Sequence, residues 1–459
     1  MNKALIITFM LSTSGVWAQT AEVDAAQRSF SREQAEAYAL EHSYAMRGDQ
    51  LELKRAQAII WENVALGLPQ VGASGNLINN LEIGGQVIEL GGQTQFLQFG
   101  VQYASGYGLT VDQLLFDGSY VVALLATRIV EETAQNTYEQ TAINTKANVA
   151  QAYHLVLITE RSLEINRESI RFLEQSLNET RALLEQGFVE QTDVDQLALL
   201  LSNLQSNADY LENQAGIARS LLKTHMGIPI NETIQLTDDI ESLMVFSQDG
   251  TALLGEEFDV QNHIDYRVLE TGIEGQRLNL RNEQVQWLPK INGFYQYNYN
   301  YQSPTFGALY DENDPSSFSF PSSNIGIAVR WDLFQGGRRF ARTQEARVRL
   351  DQLEIQQEMV TAALQTEYQS ARSEYTYALS NLLSQQQNTR LAKDIRDRTS
   401  IKYNEGVASS LEFSQAERQY QDALQQQIRS YQNVLNTRLE LEKVLGKFNL
   451  ETTTNNTEE

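Results

Sequence analysis

The feature that most constrains this chain is an internal duplication. Four landmarks of the first half recur in the same order in the second half, at an offset of about 220 residues. They are Leu68-Pro69 with Leu288-Pro289, Leu115-Phe116-Asp117-Gly118 with Leu333-Phe334-Gln335-Gly336, Gly187 with Gly406, and Met226-Gly227 with Leu445-Gly446. We therefore predict one structural unit that the chain uses twice.

Two long intervals without proline in each half predict long helices. The second and third landmarks are separated by 68 and 69 residues, and the third and fourth by 39 residues in each half. Apolar residues there recur at steps of three and four, as in a left-handed coiled coil. In the first half they are Ile170, Leu173, Leu177, Thr180 and Leu184, then Val194, Leu197, Leu201, Leu204, Ala208, Leu211, Ala215, Ala218 and Leu222. In the second half they are Phe413, Ala416, Tyr420, Ala423, Ile428, Tyr431, Leu435 and Leu439. A helix from Ser119 to Gln186 would reach roughly 100 Å and would need partners along its length.

A period of two residues upstream of each long helix predicts strands. The runs are Val71 to Leu77, Leu97 to Leu115, Lys290 to Tyr301 and Ile325 to Leu333, which gives a hairpin in each half. Residues 79–96 and 302–321 are predicted to be long exposed loops. One face of the runs is rich in Tyr, Phe and Trp, and the other carries small or amide side chains. A half-buried soluble sheet also alternates, but aromatic residues on one face and long loops on one side favour an outer-membrane barrel.

Four strands cannot close a barrel, because transmembrane barrels have at least about eight strands. Several copies must therefore share one barrel if the sheet lies in lipid, where unpaired strand edges are not tolerated. Two copies would fill the interior with side chains, whereas three copies with twelve strands begin to leave a bore.

Composition and motifs exclude several classes of function. Lys3, an apolar run and Val16-Trp17-Ala18 predict a cleaved signal peptide. The absence of cysteine excludes disulfides, thiolate metal sites and a lipid anchor on cysteine. A formal charge of -24 argues against nucleic acid as a partner. Histidines lie in no metal-ligand spacing, and no catalytic motif is present, so we expect no metal, no cofactor and no enzymatic activity. These histidines are His42, His154, His225 and His263.

Several segments together resemble the TolC-like outer-membrane efflux protein family. They are Ser31-Arg32-Glu33-Gln34-Ala35 with Ala39-Leu40-Glu41, Leu68-Pro69-Gln70, His263-Ile264-Asp265-Tyr266-Arg267, Trp287-Leu288-Pro289, and the doubled Leu-Phe-x-Gly and Gly187/Gly406 landmarks. The resemblance implies an α+β membrane protein. Its homotrimer would form a twelve-stranded β-barrel in the cell outer membrane, with four strands from each chain, continued by a long α-helical coiled-coil tube in the periplasm.

The resemblance also implies a function and its partners. Members of the family are exit ducts for inner-membrane pumps and dock through a periplasmic adaptor, or membrane fusion, protein. We therefore expect efflux of small toxic compounds. A duct for metal ions or for a type I protein secretion system stays open, and so, from other classes, do a periplasmic adaptor protein and an adhesin stalk, although these two lack the doubled unit.

The predicted division of the chain follows the duplication. Residues 1–18 are the signal peptide, 19–227 the first structural repeat and 263–446 the second. Residues 228–262 are expected to form an equatorial connecting segment around the tube, and residues 447–459 a polar tail.

The resemblance places candidate functional residues at the two helical turns. Gly187, Phe188 and Val189, and likewise Gly406, Val407 and Ala408, correspond to turns that contact the adaptor, although each glycine also fits a simple helix cap. Asp193, Glu412 and Tyr403 correspond to the closed pore entrance, where a trimer would place rings of carboxylates. Ser409 with Glu412 also fits a capping box. Ala408 occupies the position of the family's basic gate residue, which argues against a salt-bridged lock.

Overall fold

The computed structural model describes residues 28–91, 93–240, 243 and 253–448. The predicted signal peptide, most of the polar tail and part of the equatorial segment lie outside the described residues. None of the helices in these ranges combines the length and apolarity that a membrane crossing requires.

Long helices dominate the described residues, and the two longest are nearly equal in length. The helices are α1 (Arg32–His42), α2 (Tyr44–Ala65), α3 (Gly118–Glu185), α4 (Gln191–Met226), α5 (Ile264–Val285), α6 (Arg338–Asn404) and α7 (Ser410–Val444). The helix predicted over Ser119 to Gln186 is confirmed as α3, which has 68 residues, and α6 has 67. The Asp117 side chain caps α3 by accepting a 2.8 Å hydrogen bond from the Ser119 backbone N–H.

The long helices form two hairpins, α3 with α4 and α6 with α7, which pack on each other mainly through α7. The predicted heptad residues of the first half face the interior. Leu173, Leu177, Val194, Leu197, Leu204, Ala215, Ala218 and Leu222 are all buried. The apolar repeat of the sequence is therefore the seam of the first hairpin, as coiled-coil packing requires.

The strands form one four-stranded antiparallel sheet and two small pairs. They are β1 (Arg28–Phe30), β2 (Gln70–Asn79), β3 (Gly85–Leu90), β4 (Gln93–Gln98), β5 (Tyr103–Phe116), β6 (Ile234–Leu236), β7 (Lys290–Ser303) and β8 (Phe318–Arg330). The large sheet has the order β2-β5-β7-β8, so that each half contributes one edge strand and one central strand. β1 pairs in parallel with β6, and β3 pairs with β4.

Strand pairing separates the two faces as the alternation predicted. Tyr107 pairs with Tyr299, and Leu109 pairs with Tyr297, on the face that we call the aromatic face. Gly106 pairs with Asn300 on the opposite face, which we call the amide face. The remaining amide-face residues at mid-height include Ser74, Asn76, Gly108, Asn298 and Ser322.

One predicted strand and the loop before it have the wrong bounds. The run Leu97 to Leu115 is not one strand, because the chain bends after β4, where Gly100 has a φ of +132° that other residues rarely adopt. Residues 79–96 are not only a loop, since they contain β3 and most of β4.

The last predicted strand also ends earlier than expected, at Arg330 rather than Leu333. Trp331 lies at the junction between sheet and helix, where its indole N–H donates to the Trp287 carbonyl over 3.0 Å. Arg339 donates to the Asp332 carbonyl over 2.6 Å. These bonds replace the strand ladder, and β8 instead begins at Phe318 within the predicted loop 302–321.

Helices and strands are arranged in the same lateral order. Beside the sheet, α2 packs on α3, α3 on α5, and α5 on α6. Each of these helices is joined to a strand in the order β2, β5, β7 and β8. The row of four strands therefore continues as a row of four helices, with β2 and α2 along one edge and β8 and α6 along the other.

Candidate functional site

The two helical turns expose apolar side chains at equivalent positions. Gly187 and Gly406 adopt φ angles of +76° and +73°, so the interpretation of each glycine as a helix cap agrees with the backbone. The residues that follow them, Phe188 and Val407, are each 74% exposed. Capping explains the glycines but not these exposed side chains, because a cap needs no apolar group pointing into water.

A small apolar core lies directly behind the turns, and we call it the tip cluster. It consists of Leu173, Leu177, Val194, Leu197, Leu200, Leu204, Tyr403 and Phe413. Val189 and Ala408 are partly covered, and Ala408 packs against this cluster. The six predicted adaptor-contacting residues thus comprise two turn glycines, two exposed apolar residues and two partly covered ones, of which Ala408 packs on the tip cluster.

Tyr403 connects the two hairpins. Its ring stacks on Phe413 with centroids 5.3 Å apart, and its hydroxyl lies 3.0 Å from the Thr180 hydroxyl of α3. The tyrosine is buried, and desolvation raises the pKa of Tyr403, so the neutral phenol persists. Tyr403 is therefore held inside the chain by a hydroxyl partner.

Asp193 forms a second connection between the hairpins. One of its carboxylate oxygens accepts a 2.9 Å hydrogen bond from the Glu190 backbone N–H, which caps α4. The other accepts a hydrogen bond from the Ser410 hydroxyl at the start of α7. Gln196 lies 3.1 Å from the same hydroxyl. Asp193 thus caps its own helix and also binds the other hairpin.

Glu412 has the geometry of the capping box. Its carboxylate accepts a 2.8 Å hydrogen bond from the Ser409 backbone N–H, while the Ser409 hydroxyl accepts from the Glu412 N–H over 3.3 Å. The hydrogen bonds from Ser409 lower the pKa of Glu412, so this exposed side chain carries a negative charge at neutral pH.

The contacts of Asp193 and Tyr403 with the other hairpin involve partners that were not predicted from the sequence. Ser410 and Gln196 were missed because a polar residue near the start of a helix has no distinctive spacing. Thr180 and Phe413 do occupy heptad positions, which indicated burial but not their contact with Tyr403. Contacts between residues 217 and 223 positions apart leave no local signal in a single sequence.

Titratable groups elsewhere do not assemble a metal site. In the described part of the chain, no group of three or more His, Asp or Glu residues could hold a metal ion. His154 is buried, and desolvation together with Arg32 and Arg438 lowers its pKa to about 3. It is therefore a neutral core residue at physiological pH.

Comparison with known proteins places this geometry in context. Residues 260–447 match the family model described as outer membrane efflux protein. No curated protein sequence matches the chain.

Several solved structures share the fold over nearly the whole chain. The CmeC outer membrane channel of Campylobacter jejuni superposes with a TM-score of 0.71 at 13% identity, covering 92% of this chain and 86% of CmeC. VceC of Vibrio cholerae superposes with a TM-score of 0.68 at 15% identity, covering 90% of this chain and 96% of VceC. The open state of the MtrE outer membrane channel of Neisseria gonorrhoeae superposes with a TM-score of 0.69 at 15% identity, covering 90% of this chain and 88% of MtrE.

The predicted resemblance is therefore confirmed: residues 260–447 match the outer membrane efflux proteins, a family of channels rather than enzymes, and nearly the whole chain shares the fold of solved outer membrane channels.

Proposed function

We propose that the protein is the exit duct of a tripartite efflux system in the cell outer membrane. It passes small toxic compounds from an inner-membrane pump and a periplasmic adaptor protein to the cell exterior. The family match and the shared fold support this function. The observation that carries the proposal is that the four-stranded sheet of the described residues has two open edges, β2 and β8.

The two edge strands of the sheet support assembly with further copies of the chain. β2 and β8 are edge strands, and each leaves one row of backbone groups without a strand partner. The flanking helices expose apolar side chains, among them Leu51 and Trp61 on α2 and Ile355 and Met359 on α6. Because the two edges are different surfaces, a copy that covers one edge with its opposite edge forms a head-to-tail contact that closes into a ring.

Three copies give the ring its duct. Twelve strands leave a bore, whereas eight would be filled by side chains. The aromatic face would meet lipid and the amide face the water-filled interior, as in other outer-membrane barrels. The first repeat (19–227) and the second (263–446) then supply alternate segments of one homotrimeric tube, with residues 228–262 around its middle.

Two kinds of residue divide the roles at the periplasmic end. Phe188 and Val407 offer apolar contacts to the adaptor, carried on turns formed by Gly187, Val189, Gly406 and Ala408. Asp193 and Glu412 would repeat three times around the pore entrance and focus a negative potential that favours cations. The Tyr403–Thr180 and Ser410–Asp193 contacts support a closed entrance held by hydroxyl groups, in agreement with the lack of a basic residue at Ala408.

Retention of a fluorescent efflux dye tests the proposed function. Cells that lack the gene should retain more dye than the parent, and complementation with the intact gene should reverse the effect. Complementation with Phe188→Asp should fail although the protein reaches the outer membrane in normal amounts. Unchanged retention in the deletion strain, with no other channel able to compensate, would refute small-molecule efflux and direct attention to secreted proteins.

A further inference from the structure

The amide face of the sheet is unusually flat at mid-height. A methyl group at Gly106 would lie 3.2 Å from Oδ1 of Asn76 and 3.3 Å from Oδ1 of Asn300. A methyl group at Gly108 would overlap the carboxamide of Asn298. The three carboxamides therefore lie across β5, over the glycines, and do not stand upright on the sheet.

Burial and hydrogen bonding agree with this arrangement. Gly108 is buried, although it is a strand residue on an otherwise open face. Asn300 extends sideways, and its amide donates to the Ser322 hydroxyl over 3.4 Å. Strand glycines commonly mark places where another group approaches the backbone closely. Here these groups are asparagine carboxamides of β2 and β7, together with the Tyr297 and Tyr299 carbonyls of β7 at 3.0 and 3.3 Å from the added methyl groups.

The same levels of the sheet carry no charge. The charged residues of β2, β5, β7 and β8 are Asp112, Lys290 and Arg330, all at the helical end of the strands. Lys290 is paired with Asp117 over 2.7 Å. At these levels the amide face therefore presents amides, hydroxyls and backbone, together with the ring of Phe320 on β8, which pairs with Asn300.

We propose that Gly106 and Gly108 set the free width of the barrel bore by leaving the space in which Asn76, Asn298 and Asn300 lie flat. This inference rests on the proposed function, in which the amide face lines the bore. The result is a wide, uncharged, hydrogen-bonding wall. Such a wall discriminates solutes by bulk rather than by charge, and so suits a duct that passes bulky polar and amphiphilic compounds of either sign.

A size-graded labelling experiment tests the proposal. The chain has no cysteine, so Asn324→Cys introduces a single thiol on the amide face, one level closer to the helices than Asn298. Membrane-impermeant maleimides of increasing bulk are added to intact cells and must pass the asparagine levels to reach it. Adding Gly108→Ala should slow labelling by the bulkiest reactive reagent several-fold and leave the smallest reagent unaffected.

Two further variants separate displacement of the asparagine from general damage. Gly75→Ala adds the same methyl group on the aromatic face, where its nearest neighbour would be 3.8 Å away. It should leave unchanged the size limit, which is the bulk of the largest maleimide that still labels the thiol at the unmodified rate. Gly108→Ala combined with Asn298→Ala should restore the wild-type limit, because no carboxamide remains to be pushed into the bore.

The outcomes distinguish the inference from the function on which it rests. If Asn324→Cys alone is not labelled even by the smallest reagent, the proposed orientation of the barrel is wrong. If it is labelled, but Gly108→Ala has the same size limit as Gly75→Ala, the role of the glycines is wrong. A narrowed limit that Asn298→Ala fails to restore would also overturn it.

Discussion

The two helical hairpins have nearly the same lengths but different interiors. The seam of α3 and α4 is built from leucines such as Leu173, Leu177 and Leu197. The second hairpin buries fewer large apolar residues and contains instead the ion pair of Arg396 and Glu417, whose atoms approach to 3.4 Å.

The environment of this ion pair shows what the difference means. Arg396 lies between the rings of Phe172 and Tyr420, at 4.3 and 4.6 Å from their centroids. Glu417 is completely buried and also accepts a 2.7 Å hydrogen bond from Gln421. Phe172 belongs to the first hairpin, so the polar group joins the hairpins. Apolar burial stabilises the first hairpin. In the second hairpin, the pair of Arg396 and Glu417 makes the packing specific but adds little to the free energy of unfolding.

The largest expected effect comes from breaking the buried pair. Arg396→Leu should lower the free energy of unfolding by about 4 kcal/mol, because Glu417 keeps its burial and loses its cation. Denaturant unfolding of the purified protein, followed by circular dichroism, measures the change. Arg398→Leu, an exposed neighbour on α6, serves as the control.

The double variant Arg396→Leu with Glu417→Leu sharpens this test. It should recover most of the lost stability, since neither charge remains to be buried. A double variant as unstable as Arg396→Leu would show that packing around the arginine, and not its charge, stabilises the second hairpin.

A cavity in the leucine seam should have the next largest effect. Leu197→Ala should cost about 3 kcal/mol, because the side chain is fully buried in the tip cluster. Ala416 on α7 lies ten residues after Gly406, as Leu197 lies ten residues after Gly187, and it is also buried. Ala416→Leu should cost about 2 kcal/mol through overpacking. Stability equal to wild type in both variants would contradict the distinction between the hairpins.

The ends of the hairpins remote from the turns should respond to pH. Burial raises the pKa of Glu36 on α1 from 4.5 to about 7, with Arg32 and Glu33 on its own helix, Lys146 on α3 and Glu442 on α7 nearby. The folded state therefore binds a proton more tightly than the unfolded state. This contribution is fully present below pH 4.5 and is lost as the pH rises through 7.

Thermal unfolding across this range measures the effect. Between these limits the protein should lose about 2 kcal/mol of stability, less than the full shift implies because the site is partly open to solvent. Glu36→Gln should flatten the pH dependence. An unchanged slope in that variant would assign the dependence to another group.

The two turns should differ modestly in their caps. Ser409→Ala removes half of a complete capping box and should cost about 1 kcal/mol. At the first turn, the Asp193 carboxylate accepts a hydrogen bond from the Glu190 backbone N–H. Glu190→Ala keeps this bond and should change stability by less than about 0.5 kcal/mol. Denaturant unfolding measures both changes. Equal losses of stability in the two variants would contradict the predicted difference between the caps.

The smallest effect on stability should accompany a clear effect on binding. Phe188→Ser and Val407→Ser should each change stability by less than about 0.5 kcal/mol, because both side chains are exposed. Binding to the adaptor, measured by co-purification, should fall more for Phe188→Ser, since phenylalanine offers more apolar area. A greater loss for Val407→Ser would make the second turn the principal contact.

Much of the fold could be predicted because its signals are local. The interval between Gly118 and Gly187 bounded α3, the heptads identified the seam of the first hairpin, and alternation assigned the faces of the sheet. The bounds of the strands were less accurate. β3 and β4 were missed because residues 79–96 are rich in glycine. Their alternating runs are also too short to distinguish a hairpin from a loop.

The sequence by itself determined the extent of α3, the positions of the two helical turns and the alternation that separates the two faces of the sheet. These follow from periodicity and capping, which act over a few residues. Only the tertiary structure decided that Tyr403 binds Thr180, that Ser410 binds Asp193, that Arg396 lies between rings of two hairpins, and that asparagines lie over glycines of β5. Such contacts depend on the register of elements distant in sequence, and the register is set by the packing of the whole chain, which no short segment encodes.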